Sequence, residues 1–291
     1  MTPPAGPLAE YPFTPRFIEV AGGHRLAYLD EGQGEPVVMV HGNPSWSYLY
    51  RNLAGALRGR WRCIVPDHLG CGFSDKPADY SYRLADHIDN LDKLLDALGI
   101  ERCRLVVHDW GGAIGMGWAT RYPERVVTTV VLNTAAFRST RMPWRIGVCR
   151  VPLLGALLVR GLNGFARGAT VMAVTRPMRP EIACGFLAPY DSWANRVALH
   201  RFVQDIPMAP KHPSWSTLVA VEQGLAGLAD KPMLICWGGR DFCFNTAFYR
   251  EWLQRFPRAE AHYFQEAGHY LLEDAFAPIL PLIERFLAEA G

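Results

Sequence analysis

Short apolar runs recur along the chain at Phe17–Val20, Leu26–Leu29, Val37–Val40, Cys63–Val65, Leu105–Val107, Val126–Leu132, Met233–Cys236 and Ala261–Phe264, and they predict eight strands. Helical spacing between them predicts helices at Tyr48–Leu57, Arg83–Leu98, Gly111–Arg121, Thr246–Arg255 and Glu273–Glu289. In Arg83–Leu98, the residues Leu84, Ile88, Leu91, Leu94, Leu95 and Leu98 share one face, with Asp and Lys opposite. Fully apolar strands alternating with helices predict an α/β fold with a mostly parallel sheet covered on both faces. The rhythm breaks between Leu132 and Met233, a stretch rich in Arg and Pro without a convincing strand. It predicts a helical cap over residues 137–228, inserted into a core made of residues 1–136 and 229–291. Parallel sheets place ligand sites at the carboxyl ends of their strands, so such a cap would close over the site.

Composition removes some alternatives. Hydrophobic residues at 49% and a net charge of +2 exclude a disordered chain, and 291 residues suffice for a large core without staples. So mild a charge does not argue for nucleic acid, and no recognition motif accompanies it. Seven cysteines without a C-x-x-C pair read as buried thiols in a reducing compartment. Met1–Leu8 lacks the features of a signal peptide, and the apolar stretch Val151–Val159 is far short of the ~18 residues that span a bilayer. A cytoplasmic protein without metal or cofactor is the expectation.

The chemistry is concentrated in Arg104–Ala119, where an apolar strand runs into His108-Asp109-Trp110-Gly111-Gly112 and then a helix. Strand, sharp turn and helix make a nucleophile elbow, with Asp109 at its tip. Gly111 fits the usual pattern, whereas Val107 stands where a first glycine is usual. Asp109 would also suit a plain helix N-cap. Asp241 and His269 follow the strands Met233–Cys236 and Ala261–Phe264, in the chain order nucleophile, acid, histidine. His269, between Gly268 and Tyr270, is expected to be an exposed loop imidazole. A carboxylate with an ordinary pKa near ~3.9 is ionised without help from a base. Attack on an acyl carbon would give an anhydride, whereas attack on an sp3 carbon bearing a leaving group gives an ester. Peptidase and serine-esterase chemistry are thereby disfavoured. His269 would serve as general base in a second half-reaction, oriented by Asp241. Asp67, Asp75 and Asp191 read as solvated or capping residues.

Three segments, His41-Gly42-Asn43-Pro44, His108-Asp109-Trp110-Gly111-Gly112 and Trp237-Gly238-Gly239-Arg240-Asp241 with Gly268-His269, resemble the α/β-hydrolase fold in its haloalkane-dehalogenase-like branch. Pro66–Gly72, Asn133–Phe137 and Pro189–Arg196 are most similar to the β-lactone decarboxylases of long-chain olefin biosynthesis. The resemblance implies an eight-stranded, mostly parallel sheet with a helical cap. It places the side-chain amide of Asn43 and the indole N–H of Trp110 beside Asp109, where they would hold the leaving anion. Some dehalogenases carry the triad acid at the end of the strand before the cap. Here Asn133 stands there, which leaves Asp241 as the acid. The implied reaction is decarboxylation of long-chain cis-β-lactones to cis-olefins and carbon dioxide. Hydrolytic dehalogenation with the same residues is the alternative, and epoxide hydrolysis with Tyr190 as proton donor ranks third. A hydrolase-like interaction scaffold without activity is the reading from another class.

From Phe137 to Pro180 the cap carries eight Arg and no Asp or Glu, interleaved with Leu153, Leu154, Leu157, Leu158 and Phe165. One reading is an amphipathic cap with its apolar face inward and Arg outward. The other is a basic docking face for an acidic partner enzyme or a membrane surface. The resemblance also implies assembly with other enzymes of olefin synthesis.

Overall fold

The computed structural model describes residues 8–289. Its strands are β1 (Arg16–Glu19), β2 (Arg25–Glu31), β3 (Pro36–Val40), β4 (Arg62–Pro66), β5 (Cys103–Asp109), β6 (Val126–Thr134), β7 (Met233–Gly238) and β8 (Glu260–Phe264). They form one sheet in the order β1-β2-β4-β3-β5-β6-β7-β8. β2 runs antiparallel to β1 and β4, and the pairs from β4 through β8 are parallel. All eight strands expected from the apolar runs are present. In β5 every residue is buried, as are Val37–Val40 of β3, which is why these runs show no alternation. Burial of each such side chain is worth about 1.5–3 kcal/mol.

Chain order reverses between β3 and β5, since β4 lies on one side of β3 and β5 on the other. Ligands bind at such switch points. The loop after β3 and the bend after β5 open there side by side. The helix Leu84–Ala97 buries Leu84, Ile88, Leu91, Leu94 and Leu95, as its spacing requires. The helix Trp110–Arg121 begins one residue earlier than expected. Its Gly111 passes so close to the Val40 carbonyl that a Cβ there would collide with backbone.

Some elements differ from expectation. The C-terminal helix is divided into Leu271–Asp274 and Phe276–Glu289, because Ala275 leaves helical geometry at φ −138° and ψ 30°. The first helix opens with a 3-10 turn at Ser47–Tyr50 before Arg51–Leu57. Asp67 is neither solvated nor a helix cap. It is buried, its Oδ1 accepting from the Ser47 amide at 2.7 Å and its Oδ2 from the Phe73 amide at 2.9 Å. Five of the seven cysteines are buried, Cys243 is half-buried and Cys184 is exposed.

Between β6 and β7 the described residues form helices and turns with no strand. No helix among the described residues is long and apolar enough to cross a membrane. No group of three or more potential metal ligands occurs among them.

Candidate active site

Asp109 ends β5 at φ 52° and ψ −126°, a strained backbone that lifts its side chain off the sheet. The strain is over-determined by its neighbours. Thr134 Oγ1 of β6 donates to the Asp109 carbonyl, and Gly42 leaves the space that the carboxylate fills. A Cβ at Gly42 would occupy that space. The plain N-cap reading does not describe the residue, since its side chain makes no capping hydrogen bond.

The carboxylate takes two main-chain amides, those of Asn43, at 2.6 Å from Oδ1, and Trp110. In a serine enzyme with this elbow such amides would face a substrate oxyanion. Here the protein's own carboxylate occupies them, and Oδ2 is turned toward the imidazole of His269, 3.7 Å from Nε2. His269 Nδ1 lies 2.7 Å from Asp241 Oδ2. Asp241 is fixed in turn by the amides of Cys243 at 2.6 Å and Phe244 at 3.1 Å, both on Oδ1.

Burial pushes the Asp109 carboxyl above the usual range, against the pull of His269 and the two amides. Burial also works against a His269 imidazolium, but the charge and hydrogen bond of Asp241, with the charge of Asp109, outweigh it and raise His269. The imidazole is not the exposed loop group expected from sequence. It is 5% exposed, stacked on Phe244 at 5.7 Å between ring centres.

Asn133 adjoins the site in a way that its residue type alone does not announce. Its Nδ2 donates to Asp241 Oδ2 at 3.0 Å and to the Gly238 carbonyl at 3.1 Å, while its Oδ1 accepts from the Gly238 amide at 2.7 Å. The sequence shows only a position without a carboxylate. Asn133 is a donor to the carboxylate that is present. His108 carries a second such support, its Nε2 lying 2.9 Å from the His269 carbonyl.

Asp109, His269, Asn43 and Trp110 open on a cavity of about 330 Å³. Its other walls are mainly apolar and come largely from the segment between β6 and β7, among them Ile146, Leu158, Phe165, Met172, Val203 and Leu218, with Phe244 and Phe248 beyond β7. Asn43 Nδ2 gives one hydrogen to the Leu199 carbonyl at 3.2 Å, leaving the other, and its Oδ1 has no partner. No acceptor among the described residues takes the indole N–H of Trp110, whose ring lies 5.3 Å from that of Phe202. Tyr190 is not in the cavity wall. It is fully buried, with its hydroxyl donating to the Ser45 carbonyl at 3.3 Å.

A sheet with this order, an elbow after β5 and an Asp–His pair after β7 and β8 define an α/β hydrolase, and the sequence profile of the alpha/beta hydrolase fold matches residues 35–152. The chain belongs to the α/β-hydrolase family, in the branch that holds the cis-3-alkyl-4-alkyloxetan-2-one decarboxylases and the haloalkane dehalogenases. It is 48% identical to a cis-3-alkyl-4-alkyloxetan-2-one decarboxylase of Shewanella oneidensis, over 96% of this chain and 89% of the relative. Identity to the protein of the same name from Xanthomonas campestris pv. campestris is 45%, over 95% and 97% of the two chains. Among solved structures, a haloalkane dehalogenase from Bradyrhizobium elkani superposes with a TM-score of 0.87 at 26% identity, covering 96% of this chain and 98% of that one.

Proposed function

We propose that the protein converts long-chain cis-β-lactones to cis-olefins and carbon dioxide, with Asp109 as nucleophile. The carrying observation is a carboxylate held by the Asn43 and Trp110 amides, the first on Oδ1, with Oδ2 turned toward His269 at the wall of an apolar cavity. The near relatives named as oxetan-2-one decarboxylases support the substrate class.

On this reading Oδ2 attacks the ring carbon that bears oxygen. A C–O bond forms with inversion as the ring C–O bond breaks, its electron pair passing to the lactone carboxylate. Asn43 and Trp110 donate to that anion. Carboxylate and ester then lie on opposite faces of the C–C bond. The C–C pair becomes the double bond as carbon dioxide leaves, and the ester C–O pair returns to Asp109. Inversion followed by anti departure keeps the alkyl groups on one side, so a cis-lactone gives a cis-olefin. Neither water nor a net proton is consumed. His269, with its raised affinity for a proton and its partner Asp241, would stabilise the carboxylate at each return. Residues 137–228 act as the cap that keeps water out, with residues 1–136 and 229–291 as the core.

The second reading is hydrolytic dehalogenation, in which His269 activates water against the alkyl ester. The intact His269–Asp241 pair favours it, since a water-free fragmentation asks less of a base. Epoxide hydrolysis lacks its proton donor in the cavity wall, because Tyr190 is engaged elsewhere. The test is incubation with a long-chain cis-β-lactone and, separately, with a 1-bromoalkane. Alkene forming faster than bromide is released is the expected result. The reverse order would replace the first reading by the second, and a well-folded protein that makes neither product would leave the non-catalytic scaffold.

Asn133 is proposed as a positioning residue for Asp241. Asn133→Asp would set a second carboxylate where the amide now donates, replacing an attraction by a like-charge repulsion. Turnover is expected to fall about 10–100-fold, with the acid limb of the pH–rate profile moved to higher pH. A lower rate with an unmoved profile would reduce Asn133 to a structural part. We also place the protein in the cytoplasm, its cap meeting other enzymes of olefin synthesis or a membrane surface.

A further inference from the structure

The cap does not follow the amphipathic expectation. Nine of the eleven large apolar side chains exposed among the described residues lie between Trp144 and Trp193. Leu153, Leu154, Leu157 and Leu162 form a ridge, and Leu153 is 89% exposed. Water is the least favourable surrounding for these side chains, so something must otherwise cover them.

The backbone spends strain to present them. Leu153 has φ 62° and ψ −51°, and the Leu154 amide donates to the Pro152 carbonyl at 2.7 Å across it. This is the positive-φ γ-turn, a rare and costly form for a bulky side chain. It leads into a helical segment that widens to π geometry at Leu157–Gly161, a distortion that marks functional stretches. A side chain at Gly161 would touch both Leu157 and Trp193, so the exposed Trp193 continues the ridge.

Charge around the ridge is mainly positive, with Asp191 close enough to act on Arg196. Arg160 lies over the Trp193 ring at 4.5 Å, close enough to Arg201 for each charge to oppose the other, and Arg196 stands likewise beside Arg167. None of these four arginines has a carboxylate within ion-pairing distance among the described residues. The inner side of the same wall faces the cavity, since Leu158 and Phe165 line it while Leu157 and Leu162 point to solvent.

We propose that this outer face of the cap docks on an anionic phospholipid surface, with the leucine ridge entering the headgroup layer and phosphates meeting the arginines, of which Arg160 and Arg196 also donate to backbone carbonyls. Protruding leucines beside tryptophan and arginine suit a surface that rewards depth of burial and charge rather than fitted shape. An acidic protein face would need matching pockets for each projecting leucine. The docking deepens the reading of a water-insoluble lactone substrate and rests on it for its purpose, because the cavity wall would then stand against the phase that holds the substrate.

The test is flotation of the full chain with phosphatidylcholine vesicles, with and without phosphatidylglycerol. Binding about tenfold greater or more with the anionic lipid, and reduced by salt, is expected. Leu153→Asp with Leu157→Asp should lower that binding about tenfold or more, and Arg167→Glu with Arg201→Glu should abolish the preference for anionic lipid. Turnover of a short-chain, water-soluble β-lactone should be unchanged in both variants, which shows that they fold. No binding by the unaltered chain, or full binding by the Leu153→Asp/Leu157→Asp variant, overturns the docking. Self-association that the leucine changes abolish, without vesicle binding, also overturns it and assigns the face to a second copy. Vesicle binding together with no alkene from any β-lactone would leave docking standing and sink the lactone reading instead.

Discussion

Asp109→Asn is expected to lower turnover by roughly 10⁴-fold or more while leaving the thermal midpoint unchanged or raised. The amide has the shape of the carboxylate, and its oxygen can still accept from the Asn43 and Trp110 main chain. It has no charge with which to attack carbon. Stability should not suffer, because the substitution removes a charge that burial desolvates, and Asn tolerates φ 52° at least as well as Asp. Single-turnover alkene release and a thermal melt check the two halves. Activity within tenfold of the unaltered protein would end the assignment. In the unaltered protein the acid limb should lie above the ordinary carboxylate value of ~3.9, because burial raises Asp109 and the proposed attack needs its ionised form. If His269 must also be neutral, as dehalogenation requires, its raised pKa moves the limb higher again.

What could be read from the chain follows from which forces are local. A fully buried parallel strand must be apolar on both faces, so runs such as Val37–Val40 and Leu105–Val107 announce themselves without any partner in view. Their carboxyl ends then place Asp109, Asp241 and His269 near one another before any distance is known. What depends on distant parts of the chain was not legible. His269 is packed against Phe244 and His108, and Asp67 owes its place to amides at Ser47 and Phe73. Asn133 was visible as a residue type but not as a donor, because the Asp241 carboxylate that it serves lies 108 positions away. In the cap, leucines recur on faces turned both inward and outward, so periodicity could not show that Leu153 and Leu157 would be left in solvent. Strain at Leu153 is likewise set by the turn that holds it.

Acidification should unfold the protein cooperatively with a midpoint near pH ~5, because four imidazoles are locked neutral inside it. His41, His68, His87 and His108 are all at most 2% exposed. Burial depresses each of them, His41 down to about 3. The His41 ring is committed on both sides, since Nε2 accepts from the His68 amide at 3.1 Å and Nδ1 lies 2.7 Å from the Gly42 carbonyl. A second proton would break the first of these bonds. In the unfolded chain each imidazole takes a proton below ~6.5, so stability falls as pH drops through that value, by about 1.4 kcal/mol per unit for each group. Four groups together remove roughly 5 kcal/mol per pH unit once well below it, against a total of about 5–15 kcal/mol for a domain. His269 has the opposite sign: its stabilisation is complete below ~6.5 and is lost only as pH rises through its raised value. Among the carboxyls, burial raises Asp67 and Asp109, which favours the fold in acid, while ion pairs lower Glu10, Glu222 and Glu260, which opposes it. These contributions offset one another in part. His87 isolates the effect, since neither ring nitrogen has a partner and the ring stacks on Phe202 at 4.4 Å. His87→Phe should therefore make the pH dependence shallower by about one proton and move the midpoint to lower pH. Tryptophan fluorescence and far-ultraviolet circular dichroism against pH report both quantities. A midpoint below pH ~3.5, where ordinary carboxylates titrate, with the same slope in the variant, would show that the buried imidazoles do not govern acid stability.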